Sequence, residues 1–203
     1  MDIDRFVDEE LVRRVRQRWA FARDYGDWEG MRACFHPDAT VHVAWFSGPC
    51  ATFFERTIAM TEQRKPEERS KHWFGSSRVA VNGDRAILET DAQVQVRDWF
   101  DGRLFDLTAS VRMYDRVERR QGVWRISRMT VIYDKDRMDA VVPGSVPAGF
   151  FEGIELSGPD AGMAFMRFRN KKVGRTMPSD VVVGGSPTEA RIRAETERWL
   201  AGG

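Results

Sequence analysis

Long apolar runs, cysteines and an excess of either charge are what this sequence lacks. No stretch approaches the roughly 20 apolar residues that a membrane-spanning helix requires. The acidic N-terminus does not have the basic and then apolar order of a signal peptide. The chain has 32 Lys and Arg against 31 Asp and Glu, and this near-balance argues against the strongly basic face that binds nucleic acid. We therefore expect a cytoplasmic protein that binds neither membrane nor nucleic acid.

Two cysteines and three histidines limit the chemistry that the chain can carry. Cys34 and Cys50 are neither a disulfide framework nor spaced as metal ligands. Residues 134–137 contain carboxylates but no nearby histidine, which favours a surface turn over a metal site. We expect no metal and no cofactor. Aromatic residues are plentiful instead, with seven Trp and thirteen Phe.

Helical periodicity predicts three helices in the first third of the chain. They are expected at 7–26, from Asp27 to Phe35, and at 52–64. Between the second and third helices, His36-Pro37-Asp38 breaks the chain. Residues 40–46 are β-branched and aromatic and predict a strand, and residues 47–50 predict a turn.

Strict alternation predicts an antiparallel meander from residue 72 onward. Its strands are expected at 72–81, 85–99, 103–119 and 123–134, joined by Gly-containing hairpin turns. One face of the meander is apolar and must be covered. The three helices can cover it, so we expect an α+β domain in which a curved antiparallel sheet packs around N-terminal helices, with a pocket between them.

Residues 136–203 differ in character from the domain expected at 1–135. Proline and glycine are frequent up to residue 186, but Phe150, Phe151 and Phe165 argue against a solvated linker. We expect this C-terminal extension to lie across a surface of its own chain or of a neighbour. Ser186-Pro187-Thr188-Glu189 is a capping box that predicts a final helix at 187–201.

Asp24 and His72 are the strongest candidates for chemistry. Asp24 lies on the apolar side of the first predicted helix, where an unpaired carboxylate costs free energy. A histidine that is oriented by a carboxylate is a minimal general base, since its ordinary pKa of about 6.5 lies near neutral pH. Alternation places His72 on the face of Phe74 but not of Val79, so the strand needs an irregularity near Gly75.

The order of these elements resembles the NTF2-like superfamily and, more closely, its SnoaL-like branch. The cues are Gly26-Asp27-Trp28, then Phe35-His36-Pro37-Asp38-Ala39, then His72 before a strand, and the stretch from Asp115 to Trp124. The resemblance covers residues 6–135. Asp24 with His72 is similar to the Asp–His pair of scytalone dehydratase, hexachlorocyclohexane dehydrochlorinase and bile-acid 7α-dehydratase.

The resemblance implies that His72 is the general base and that Asp24 orients it. It also implies that a pocket is lined by Val94, Val96, Ala109 and Met113. Trp19, expected at the pocket wall, stands where related lyases often have Tyr or Lys. The positive charge that a Lys would supply there then has to come from another residue. Arg128 is the candidate, because alternation places it on the same face as Trp124 and Ile126. His42 is expected to pack or to face a partner, and His36 is expected to be exposed.

The function that follows is a cofactor-free lyase, dehydratase or isomerase acting on a small apolar or aromatic ring-containing molecule. Two alternatives stay open. One is a non-catalytic ligand-binding or assembly subunit, similar to the β-subunits of aromatic-ring dioxygenases. The other is a monooxygenase or cyclase of the polyketide type. The resemblance also implies a homo-oligomer, either a dimer or a trimer.

Overall fold

Helices form near both ends of the chain in the computed structural model, which describes residues 2–202. They are α1 (Ile3–Tyr25), α2 (Trp28–Ala33), α3 (Cys50–Glu62), α4 (Ala164–Lys172) and α5 (Pro187–Leu200). Helix α1 begins earlier than predicted because Asp2 accepts a hydrogen bond from the backbone N–H of Arg5 at 3.2 Å and caps it. The predicted cap of α5 is confirmed, since Ser186 accepts from the N–H of Glu189 at 3.2 Å. None of the helices among the described residues is both long and apolar enough to cross a bilayer.

Seven strands of the described residues form one curved sheet, and the fold is α+β as predicted. The strands are β1 (Phe35–Val43), β2 (Phe46–Pro49), β3 (Arg69–Asn82), β4 (Arg85–Phe100), β5 (Arg103–Arg120), β6 (Val123–Ala140) and β7 (Val182–Val183). Their order is β2-β1-β6-β5-β4-β3, with β7 also paired to β6. Strands β3 to β6 are the predicted antiparallel meander, whereas β1 and β7 pair with β6 in parallel.

The predictions for the first strands were wrong in two places. Strand β1 begins at Phe35 and continues through the residues that were expected to break the chain, because a register shift between Phe35 and Thr40 accommodates Pro37. His36 is therefore buried rather than exposed, and its Nε2 donates to the backbone oxygen of Glu118 at 3.0 Å. The turn expected at 47–50 is instead strand β2, and α3 follows it directly.

A surface turn at 134–137 was also a wrong prediction. Strand β6 runs through these residues and stays paired with β5 as far as Ala140. Asp134 accepts from Arg112 of β5, with an Oδ1–Nη2 distance of 2.7 Å. The charges that suggested a turn therefore belong to a half-buried strand whose polar face carries ion pairs.

The two faces of the sheet are covered by different parts of the chain. Helix α1 packs on the concave face, and Met163, Met166 and Val183 of the C-terminal extension belong to the same core cluster. Within this layer, Phe150 of the extension stacks on Phe105 of β5 with ring centroids 4.8 Å apart. On the opposite face, Ile192 of α5 packs in a smaller cluster of β-strand residues. The expectation that the extension lies across a surface is confirmed, and the surface is that of its own sheet.

Candidate active site

Helix α1 and strand β3 bring Asp24 and His72 into direct contact. Nδ1 of His72 is 2.6 Å from Oδ1 of Asp24, and the backbone N–H of His72 donates to Oδ2 at 2.9 Å. Nζ of Lys71 lies 3.2 Å from the same Oδ2. The side chains of Asp24 and His72 are only 3% and 9% exposed. The carboxylate therefore fixes both the ring and the backbone of His72 in a site with little water.

A β-bulge in β3 makes this contact possible. His72 pairs with Val94 of β4, but the register shifts between Phe74 and Ser77, as the sequence predicted for the region of Gly75. One extra residue in β3 changes which side chains face the core. His72 and Val79 therefore both face the concave side, although simple alternation would put them on opposite sides.

Burial and hydrogen bonding set the protonation of the pair. Burial lowers the pKa of His72 below 6.5, and the hydrogen bond and charge of Asp24 only partly offset this effect. Burial opposes ionisation of Asp24, but hydrogen bonds from the ring and backbone of His72 outweigh it and lower the pKa of that carboxyl below 3.8. At neutral pH the imidazole is therefore neutral and donates through Nδ1, since a carboxylate can only accept. Its Nε2 makes no hydrogen bond with residues 2–202 and can accept a proton.

The residues expected to line a pocket lie on the same concave face as His72. Val94 of β4 pairs with His72, and Ala109 of β5 pairs with Val94, so the three residues lie side by side across the sheet. Val96 is two residues further along β4. Met113 lies four residues from Ala109 along β5, which is about 13 Å at strand spacing. The Trp19 ring meets the His72 ring edge to face, with centroids 5.3 Å apart. Trp19 and Val94 therefore lie beside the imidazole, whereas Met113 lies on the same face but further along β5.

Arg128 is the one predicted site residue that lies elsewhere. It pairs with Arg116 of β5, and directly paired residues share a face of the sheet. Arg116 lies over the ring of Trp199 in α5, on the face away from His72. A register shift between Arg116 and Val117 reverses the alternation that had placed Arg128 with Ile126. The inference of a cation at this position was wrong for that reason.

A buried cation near His72, Arg16, was missed by the sequence analysis. Its guanidinium lies 4.8 Å from the Trp19 ring centroid and 5.9 Å from that of Phe74. Arg16 is 1% exposed and forms an ion pair with Asp115, which is fully buried. Two signals could have found this pair, because each residue is a charge at an apolar position. Arg16 lies at helical spacing from buried residues of α1, and Asp115 continues the apolar alternation of β5.

The family model of the SnoaL-like domain matches residues 4–130. This chain belongs to the SnoaL-like domain family. It is 27% identical over 210 residues to a PEP2-like protein of Fusarium vanettenii, covering 98% of this chain and 88% of that protein. It is 30% identical over 139 residues to pea pathogenicity protein 2 of the same fungus, covering 67% of this chain and 58% of that protein.

The fold of the SnoaL-like domain is also that of solved NTF2-like structures. One is a Novosphingobium aromaticivorans protein provisionally named as a scytalone dehydratase, with a TM-score of 0.56 and 15% sequence identity. The match covers 72% of this chain and 100% of that one. At this identity the similarity establishes the fold, and the chemistry has to be argued from the residues of this chain.

Five cavities on residues 2–202 of this SnoaL-like protein have linings that include neither Asp24 nor His72, although Lys71 lines one of them and Phe74 another. The imidazole is enclosed by Trp19 and Phe74, whose ring centroids are 6.1 Å apart. An open pocket beside His72 therefore remains a prediction.

Proposed function

We propose that this SnoaL-like protein is a cofactor-free lyase or isomerase in which His72 is the general base and Asp24 its orienting carboxylate. The observation that carries the proposal is the 2.6 Å contact between Nδ1 of His72 and Oδ1 of Asp24. It leaves Nε2 without a proton and without a hydrogen-bond partner among the described residues. A buried carboxylate that touches a neutral imidazole is the arrangement that general base catalysis needs.

The proposed reaction begins when Nε2 removes a proton from a carbon of the ligand. The C–H electron pair forms a new double bond, and the imidazolium that results is stabilised by Asp24. In a lyase the adjacent leaving group departs with its own electron pair. In an isomerase the proton is returned to another carbon of the same molecule. Both reactions are redox-neutral and balance without a further reactant.

The surroundings of His72 support an apolar, ring-containing substrate. Trp19, Phe74, Val94 and Ala109 present aromatic and aliphatic surface to the imidazole. An enclosed apolar site strengthens electrostatic interactions and protects an anionic intermediate from water. The structural similarity to a protein named as a dehydratase is consistent with elimination chemistry on this scaffold.

Hydrogen–deuterium exchange tests this proposal without knowledge of the leaving group. A panel of ring ketones and β-hydroxyketones is incubated with the protein in D2O, and deuterium incorporation is followed by NMR. We expect exchange with at least one compound and a loss of about 10²–10⁴-fold in the His72→Ala variant. The control is Gln93→Ala, because Gln93 is exposed and lies on the other side of β4 from Val94. Exchange that is unchanged in His72→Ala would refute the proposal.

The enclosed imidazole favours a second candidate, a ligand-binding subunit without catalysis. The same panel separates the two, because a binding subunit gives a chemical-shift change on ligand addition but no deuterium incorporation. Self-association into a dimer or trimer stays a prediction, and light scattering after size-exclusion chromatography tests it.

A further inference from the structure

A cavity of about 720 Å³ is formed by residues of α1, α2 and the first residues of β6. Phe21 is 65% exposed and Val123 is 48% exposed, so part of the cavity wall is open to water. A volume of about 300–1,000 Å³ with a mainly apolar lining and a few polar groups is typical of sites for small organic molecules. The apolar part of the lining consists of Val15, Phe21, Ala22, Ala33, Val123 and Trp124.

Three arginines line the same cavity, and two of them have no partner of opposite charge. Arg14 is paired, with its Nε 3.2 Å from Oε1 of Glu10. The side chains of Arg18 and Arg125 form no hydrogen bond or ion pair with any of residues 2–202. The Nε of Arg125 is also buried, so this donor lacks an acceptor in a place that water does not reach. Both guanidinium groups therefore lack the same partner, an oxygen with negative charge.

Two other polar groups in the lining do not neutralise these arginines. Asp27 is a carboxylate, but its Oδ1 accepts from the backbone N–H of Gly30 at 2.9 Å, and it caps α2 instead of pairing with a cation. Cys34 donates from Sγ to the backbone oxygen of Gly30 at 3.3 Å. Burial raises the pKa of the Cys34 thiol to about 11, so it carries no negative charge at neutral pH.

We propose that this cavity binds an organic carboxylate with an apolar, ring-containing body. Arg18 and Arg125 bind the carboxylate through charge-assisted hydrogen bonds, for which planar guanidinium groups are well suited. Phe21 presents its exposed ring to the body of the ligand. The third arginine is neutralised by its own glutamate, so the two free arginines and Asp27 leave one positive charge. One positive charge matches a single carboxylate better than a doubly charged phosphate.

A smaller cavity of about 440 Å³ shares part of this wall. Arg125 and Ala33 line both cavities, whereas Arg18 lines only the larger and Arg32 only the smaller. Arg32 is exposed, and its guanidinium lies 5.7 Å from the ring centroid of Phe54. Substitutions at Arg18 and Arg32 therefore distinguish the two cavities in a binding experiment.

Calorimetry with the whole chain tests the proposal. The probes are sodium naphthoate, its neutral analogue naphthamide, and inorganic phosphate, with sodium chloride added to equal ionic strength. We expect naphthoate to bind about tenfold or more tightly than either of the others. Equal affinity for naphthamide would show that the charge is not recognised, and equal affinity for phosphate would show that the apolar wall is not used. Either result, or no binding of naphthoate, overturns the proposal.

Matched arginine variants locate the binding. Arg18→Gln should weaken naphthoate binding about tenfold, because charge-assisted hydrogen bonds are lost. Arg32→Gln, the control in the smaller cavity, should bind as the wild type does. His72→Ala should also bind as the wild type, whether or not the catalytic proposal holds. Wild-type affinity in Arg18→Gln, or a loss confined to Arg32→Gln or His72→Ala, would place the ligand elsewhere and overturn the assignment.

The apolar wall has a test of its own. Phe21→Ala should weaken naphthoate binding several-fold without lowering the Tm, because the side chain is largely exposed. Phe6→Ala removes an exposed phenylalanine of the same helix that does not line the cavity, and it should bind as the wild type does. Equal affinity in Phe21→Ala, Phe6→Ala and the wild type would show that the ligand does not contact this wall and would contradict the proposal.

Discussion

Asp24 holds His72 by two atoms at once, since its Oδ1 accepts from the ring and its Oδ2 from the backbone N–H of the same residue. Lys71, the neighbour of His72, adds a third contact to Oδ2. The carboxylate thus determines the tautomer of the imidazole and also its position on β3. A substitution at Asp24 is expected to change the proton affinity of His72 and its geometry together.

Replacing Asp24 with Asn tests the orienting role. The variant keeps the size of the side chain but removes the charge that raises the pKa of His72, so this pKa should fall further below its ordinary value. The imidazolium also loses its partner, and deuterium exchange should slow by about tenfold or more. NMR titration and the exchange assay measure the two effects. A variant with wild-type exchange and an unchanged pKa would remove Asp24 from the mechanism.

The buried pair of Arg16 and Asp115 should behave cooperatively. Arg16→Met alone leaves a buried carboxylate without a partner and should lower the free energy of unfolding by about 3–5 kcal/mol. The double variant Arg16→Met/Asp115→Leu replaces both charges with apolar groups and should be close to wild type. Urea unfolding measures both. The account would be contradicted if the double variant lost as much free energy of unfolding as Arg16→Met and Asp115→Leu together. That result would show that burying the two charges does not offset most of the attraction between them.

Acid should weaken the fold in two stages. His72 has a lower pKa in the folded protein than when unfolded, so the unfolded chain binds the extra proton first and stability falls as the pH drops below about 6.5. Asp24 has a folded pKa below 3.8, so its contribution, present at higher pH, is lost as the pH falls further. Burial opposes ionisation of Glu189, but hydrogen bonds from Arg112 and Arg193 keep its pKa at about 2, and it adds to this second loss.

The first loss of stability, below about pH 6.5, is attributed to His72, so a variant without this histidine should not show it. Thermal melts of wild type and His72→Gln between pH 8 and 4 should differ in slope between pH 7 and 5, where only the wild type loses stability through His72. The second stage, below about pH 4, should remain in both proteins. Equal slopes in the upper range would show that burial does not lower the pKa of His72.

Much of the fold could be predicted because local patterns and tertiary structure agree. Strands β4 and β5 alternate regularly and Gly-containing turns separate the meander strands, and the bulge near Gly75 followed from the conflict between His72 and Val79. The early strands could not be predicted in this way. Pro37 is typical of a break, yet parallel pairing with β6 and a register shift keep it within β1. Non-local pairing overrode the local signal there.

The candidate site was predictable only in part, for a similar reason. Asp24 and His72 came together through a family resemblance, and their contact is in the structure. Arg128 was misplaced because one unpaired residue in β6 reversed the alternation.

The protonation state of His72 is the most direct test of the account. Long-range ¹H–¹⁵N NMR on the protein at pH 7 reports which ring nitrogen carries the proton, and a titration of the same signals gives the pKa. We expect a neutral ring protonated at Nδ1, a bare Nε2, and a pKa below 6.5. A ring that is protonated at Nε2, or that carries both protons at pH 7, would contradict the proposed general base.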